Sequence, residues 1–190
     1  MNRKHRHQAH VIYKAICGAF FVLLPSWDSA TADDARAPSL PEIFDVLQGC
    51  WRGDGSALSK PVTAAIRIKP ILLGTMFSFD VDSAANANSS DRYQAHLLFG
   101  GGVGQNTVWG FWSDSFGAGF TANGEGTASN DGFEVNYRYP DSVYINRWHI
   151  QRERLDWIVV SKSKDANEKP FASYRLKRTA CSGGEAGRRA

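Results

Sequence analysis

The chain has 190 residues, 22 of them basic and 19 acidic, with a formal net charge of +3 and a pI near 8.8. That length suits one domain, and three cysteines with five histidines leave little material for a metal centre. The basicity is concentrated at the start. Residues 1–14 carry Arg3, Lys4, Arg6 and Lys14 and no acid, residues 15–24 are apolar, and Ala30-Thr31-Ala32 follows. A basic segment, a short apolar run and an A-x-A site read as a secretory signal peptide over 1–32. The apolar run is half of the roughly 20 residues that a bilayer span needs. Cleavage removes four of the 22 basic residues and one of the 19 acidic ones, leaving 18 of each. A mature chain so balanced lacks the basic footprint of a nucleic-acid binder. The expected product is periplasmic or secreted, with no integral membrane span.

Residues 33–38 form a polar lead-in. Ser39-Leu40-Pro41-Glu42 fits a capping box. A short helix over 40–47 follows, with Ile43, Phe44 and Leu47 on one face and Gly49 as its stop. Thereafter, runs rich in β-branched and aromatic residues alternate with turn chemistry. The runs are 48–57, 62–71, 75–82, 91–99, 106–113, 117–123, 125–129, 132–139, 142–152, 155–163 and 171–178. Asn123-Gly124 and Asn130-Asp131-Gly132 are among the connectors. Closely spaced turns without long helices predict an all-β, antiparallel up-and-down sheet of about eight to ten strands. Closure into a barrel would remove its free edges. The barrel domain is expected over 39–181, with a disordered tail at 182–190. In 132–139, Phe133, Val135, Tyr137 and Tyr139 alternate with polar residues, as a wall with one dry face requires. Runs 106–113 and 142–152 are apolar on both faces, which predicts cover on both sides, one of the covers being the 40–47 helix.

The first strand opens with LQGCWRGDG. Gly49, Gly53 and Gly55 surround Trp51, and glycines in a strand allow sharp bending and close backbone approach. Gly49-Cys50-Trp51 resembles the G-x-W signature of lipocalins, and the longer glycine pattern resembles the start of nitrobindins. The chain also resembles an uncharacterised bacterial lipocalin-like family through three ordered segments: the G-x-W-x-G start, Arg67 to Phe77, and Trp112-Ser113-Asp114-Ser115-Phe116, before a final Tyr174-Arg175 strand. The resemblance spans about 43–178 and implies a calycin-type barrel. Gly49, Trp51, Gly53 and Asp114 then have structural roles, Asp114 in a turn or hydrogen-bond network at a barrel end. The nitrobindin likeness implies haem held by a histidine at the start of the last strand. Here that stretch is Lys169-Pro170-Phe171-Ala172-Ser173, so haem would need His96 or His149, and no cofactor is expected. First and last strands of such a barrel are neighbours, which predicts a disulfide between Cys50 and Cys181 at the closure seam.

Catalytic signatures are weak. Ser113 or Ser115, Asp114, and His96 or His149 are the only parts of a hydrolase, without a G-x-S-x-G elbow. Gly117 to Ala122 matches G-x-G-x-x-A but lies between strands, where a dinucleotide site needs a following helix. No catalytic or metal residues are assigned. The aromatic load carries the functional expectation: Phe79, Trp109, Phe111, Phe133 and Tyr137 would line a cavity for a small apolar or amphipathic molecule. If the Val143 face of 142–152 points inward, Arg147 and His149 would orient a carboxylate head. The competing expectation is a structural or partner-binding periplasmic protein with a filled barrel.

Overall fold

The computed structural model describes residues 39–163 and 167–181. The leader (1–32), the lead-in (33–38) and the tail (182–190) expected from the sequence lie outside the described residues. Ten antiparallel strands form one closed meander: β1 (Gly49–Ala57), β2 (Lys60–Ile71), β3 (Met76–Ala85), β4 (Asn88–Gly101), β5 (Thr107–Asp114), β6 (Ala122–Ala128), β7 (Gly132–Arg138), β8 (Ser142–Gln151), β9 (Arg154–Ser163) and β10 (Lys169–Thr179). Each strand pairs with its sequence neighbours, and β1 pairs with β10 to close the barrel.

One short helix, α1 (Ile43–Leu47), precedes β1 and buries Ile43, Phe44 and Leu47. The expected capping box does not form: Glu42 occupies the N-cap position and no side chain caps the helix. Backbone bonds from Phe44 N–H to the Pro41 carbonyl and from Asp45 N–H to the Glu42 carbonyl, both 3.1 Å, start the turn instead. The helix does not cover an outer sheet face. Its Phe44 lies among Phe77, Phe79, Phe99 and Phe133, with ring centroids 4.8–6.2 Å away. It is therefore a plug in one end of the barrel.

Gly53 explains the glycine-rich opening. A Cβ there would lie 2.1 Å from the Arg175 carbonyl oxygen on β10. Only a residue without a side chain lets the first and last strands close at this point. Trp51 is fully buried, and its indole N–H donates to the Leu47 carbonyl at 2.9 Å. Arg178 lies over the Trp51 ring, 4.2 Å from its centroid, and donates to the carbonyls of Gln48 (2.6 Å) and Val46 (2.7 Å). Cys50 on β1 bonds Cys181 just beyond β10. Helix, seam and plug are thus tied at one place.

Two strand expectations need correction. Residues 117–121 form a loop containing a 3₁₀ turn at Ala118–Phe120, not a strand. Asn123-Gly124 lies within β6, not in a turn. The double cover expected for β5 is also absent: Trp109 and Phe111 point outward and are 47% and 39% exposed.

Candidate functional site

In a closed meander, alternate hairpins share an end. The β2–β3, β4–β5, β6–β7 and β8–β9 turns lie at the α1 end. The β1–β2, β3–β4, β5–β6, β7–β8 and β9–β10 connections form the opposite rim. The interior differs between the two halves. Beneath the plug, Phe133, Trp148, Trp157 and Tyr174 form a continuous stack, with centroid spacings of 5.8, 4.5 and 4.7 Å. Phe79 and Phe99 pack edge-on against it. This half is filled.

The other half is open. A cavity of about 490 Å³ extends from the rim to a floor that includes Tyr137, Asn146 and Val159. Tyr93, Trp112, Tyr139, Tyr144 and Phe171 wall it, and Phe116 and Phe120 stand at its lip on the β5–β6 loop. A smaller cleft of about 140 Å³ adjoins it, sharing Tyr93, Trp112, Phe116, Val159 and Phe171. Cavities of 300–1,000 Å³ with mostly apolar walls and a few placed polar groups are typical of small-molecule sites. Phe116 and Phe120 are 60% and 55% exposed, which leaves an apolar rim facing water. At the α1 end, a recess of about 960 Å³ borders Ser39 and the 102–106 loop, without an aromatic ring in its wall. It lies outside the barrel, and the rim cavity is the better candidate.

Asp114 organises the rim. Its carboxylate accepts hydrogen bonds from Trp112 Nε1 (2.8 Å), the Tyr93 hydroxyl (3.2 Å) and the Phe116 backbone N–H (3.0 Å). The last bond turns the chain directly after β5, an Asx turn that sets the lip. Ser115 N–H donates to the Gln94 carbonyl at 2.9 Å, pinning the loop to β4. The Tyr139 hydroxyl donates to the Phe120 carbonyl at 2.7 Å, joining the lip to the β7–β8 turn. Burial, followed by the Asp114 charge, pushes the Tyr93 and Tyr139 phenols up, so both remain neutral donors. On the floor, buried Asn146 accepts from Trp157 Nε1 at 2.9 Å.

Tyr137 has a buried hydroxyl without a hydrogen-bond partner, and burial raises its pKa well above the phenol range. An unsatisfied buried hydroxyl costs about 1–3 kcal/mol. Tyr137→Phe is therefore expected to raise the unfolding midpoint of the ligand-free protein, by up to a few degrees in thermal melts. An unchanged or lower midpoint would show that the hydroxyl is already satisfied.

The sequence-derived residues separate into three places. Phe79 and Phe133 lie in the filled half, and Tyr137 lies on the cavity floor. Trp109 and Phe111 face outward, because Val108, Gly110 and Trp112 take the inward positions of β5. Arg147 and His149 are also outside. On β8 the inward face is Tyr144, Asn146, Trp148 and Ile150, not the Val143 face. Arg147 donates to Glu134 (2.7 Å) and, through both terminal nitrogens, to Glu168 (2.8 and 2.7 Å). His149 is paired with Asp131 at 3.4 Å. His96 bonds Asp80 at 2.6 Å on the outer wall. Ser113 stands opposite His96 on β5, yet no side-chain hydrogen bond joins the two among the described residues. Neither described histidine faces the cavity, so a histidine-ligated haem finds no axial imidazole there. No cluster of three or more metal-ligating side chains occurs among the described residues.

The outer ion pairs give a pH prediction. The hydrogen bond from Arg147 holds the Glu168 carboxyl below its ordinary range, and the Ser129 bond does the same for Asp131. A depressed folded-state pKa adds stability above the unfolded carboxylate pKa and loses it as pH falls through the folded value. In urea unfolding at a series of pH values, Arg147→Ala should weaken the decline on the acid side and leave cavity binding unchanged. An identical acid decline in both proteins would contradict the pairing.

No protein-family model and no curated protein matches the sequence. Among solved structures, the chain is similar to Rv2717c from M. tuberculosis, with a TM-score of 0.58, 13% identity, 74% of this chain covered and 99% of that one. That likeness is one of fold: a closed antiparallel barrel.

Proposed function

We propose that the protein is an exported, non-catalytic carrier holding a small apolar or amphipathic molecule in the open half of its barrel. One observation carries the reading. The interior is packed tightly beneath the α1 plug and left open for about 490 Å³ at the rim. A barrel built only as a scaffold would fill both halves. Export is supported by the Cys50–Cys181 bond, since such bonds persist in oxidising compartments.

The test is titration with N-phenyl-1-naphthylamine, a neutral probe that brightens in apolar surroundings. Saturable binding of one molecule is expected. Trp112→Ala in the cavity wall should weaken it, and Trp109→Ala on the outer wall should not. Equal loss in both variants, or no saturable binding, would contradict the reading. Adding haemin under the same conditions separates the haem alternative, which would give a Soret band.

A second reading rests on the exposed Trp109 and Phe111, which are adjacent on the outer face of β5. Such a patch suits a protein partner. A shift to a larger species in sedimentation, abolished by Trp109→Ser, would support it.

A further inference from the structure

We infer that the ligand of the rim cavity carries a positive charge on an apolar body: an amine or quaternary ammonium compound. The inference rests on the carrier reading above and specifies its ligand. Three observations point the same way. First, aromatic rings make up most of the cavity wall, and they approach from several strands: Tyr93 on β4, Trp112 on β5, Tyr144 on β8 and Phe171 on β10. Aromatic faces carry negative potential and attract cations, most strongly where water is excluded. Second, Asp114 and Asp141 line the same cavity, while no lysine, arginine or histidine lines it among the described residues. Asp114 is half-buried and accepts from neutral N–H and O–H donors, without a cationic partner there. Third, the basic side chains of the adjoining cleft are already matched. Lys60 pairs with Asp91 at 2.9 Å, and Arg92 pairs with Asp82.

The balance of charge argues against a fatty-acid head. A carboxylate brought to this rim would meet Asp114 and a mostly aromatic wall, and would lose water without gaining a cation. A quaternary ammonium group needs no hydrogen-bond acceptor of its own. Aromatic rings and a nearby carboxylate can satisfy it, and both line this cavity.

Three probes with one chain length test this: decyltrimethylammonium, decanol and decanoate, each displacing N-phenyl-1-naphthylamine from the full protein. The cation is expected to bind about tenfold tighter than decanol, with decanoate weakest. Asp114→Asn keeps an oxygen to accept from Trp112 and Tyr93. Because the substitution also sets an amide NH2 against the Phe116 N–H, the readout is the ratio of affinities within the variant: the cation should lose its preference over decanol, whatever the absolute affinity of either. Decanol or decanoate binding as tightly as the cation to the unaltered protein would overturn the inference and leave the carrier reading standing. No displacement by any of the three would overturn both. An Asp114→Asn protein that still prefers the cation by the same factor would overturn the role given to Asp114.

Discussion

Breaking the Cys50–Cys181 bond should be the most damaging single chemical change to this protein. The two cysteines are 131 residues apart in sequence and 5.2 Å apart between Cα atoms. In the chain-entropy account, closing a loop of that length is worth up to about 4–5 kcal/mol. For a domain of this size, the thermal midpoint should fall by roughly 10–15 °C. Position adds to length. Cys50 lies on β1 between Arg67 of β2 and Thr179 of β10, so the bond fastens the strand that closes the barrel. The same seam carries the Arg178–Trp51 contact and the Arg178 bonds to the carbonyls preceding β1. Thermal melts with and without reductant, beside a Cys50→Ala/Cys181→Ala protein, measure the effect. Reductant should lower the midpoint of the native protein to that of the double variant. Two free thiols in the native protein, or a midpoint indifferent to reductant, would contradict the assignment.

Phe44→Ala should cost nearly as much, and in a way that separates the two halves of the barrel. Phe44 is fully buried, with four phenylalanine rings around it. Removing such a ring costs about 3–5 kcal/mol, because the cavity left behind collapses only in part. The neighbours are held by the aromatic stack from Phe133 to Tyr174, which limits their relaxation. Denaturant unfolding should show the loss as a lower midpoint with an unchanged slope. Binding of N-phenyl-1-naphthylamine at the rim should keep its affinity wherever the variant is folded. A large loss of affinity in folded Phe44→Ala protein would mean that plug and rim form one cooperative site.

Much of this architecture was legible in the sequence. The clean alternation of 132–139 places Phe133, Val135 and Tyr137 inside, as found. Neighbouring ends in a meander brought Cys50 to Cys181. Other features were hidden for physical reasons. Period-two patterning identifies two faces but does not say which is inner when both are apolar. That ambiguity put Trp109, Phe111, Arg147 and His149 in the cavity, whereas all four are outside. Gly124 reads as a turn, yet it serves packing: a Cβ there would meet Val135 at 2.6 Å and Tyr137 at 2.8 Å. The glycine gives up its side-chain volume to Val135 and Tyr137 of the next strand. The rim residues are dispersed over residues 58–171, and no local motif joins them. One signal was available. In a meander, alternate hairpins gather at one end, and aromatic residues flank the odd-numbered ones: Phe116, Phe120, Tyr139, Tyr144 and Phe171. The division between a filled and an open half depends on side-chain volumes summed over ten strands, which a linear reading does not provide.

The most direct measurement is two-dimensional NMR of the tryptophan indole N–H groups during titration with decyltrimethylammonium. Five tryptophans lie among the described residues, and they sample distinct places. Trp51 is at the seam, Trp148 in the filled half, Trp109 on the outer wall, Trp112 in the cavity wall and Trp157 beneath its floor. A large saturable shift is expected at Trp112, whose N–H is bonded to Asp114. A smaller shift is expected at Trp157, with Trp51 and Trp109 unmoved. A shift centred on Trp109, or a titration that leaves Trp112 in place, would contradict a ligand cavity in the open half of the barrel.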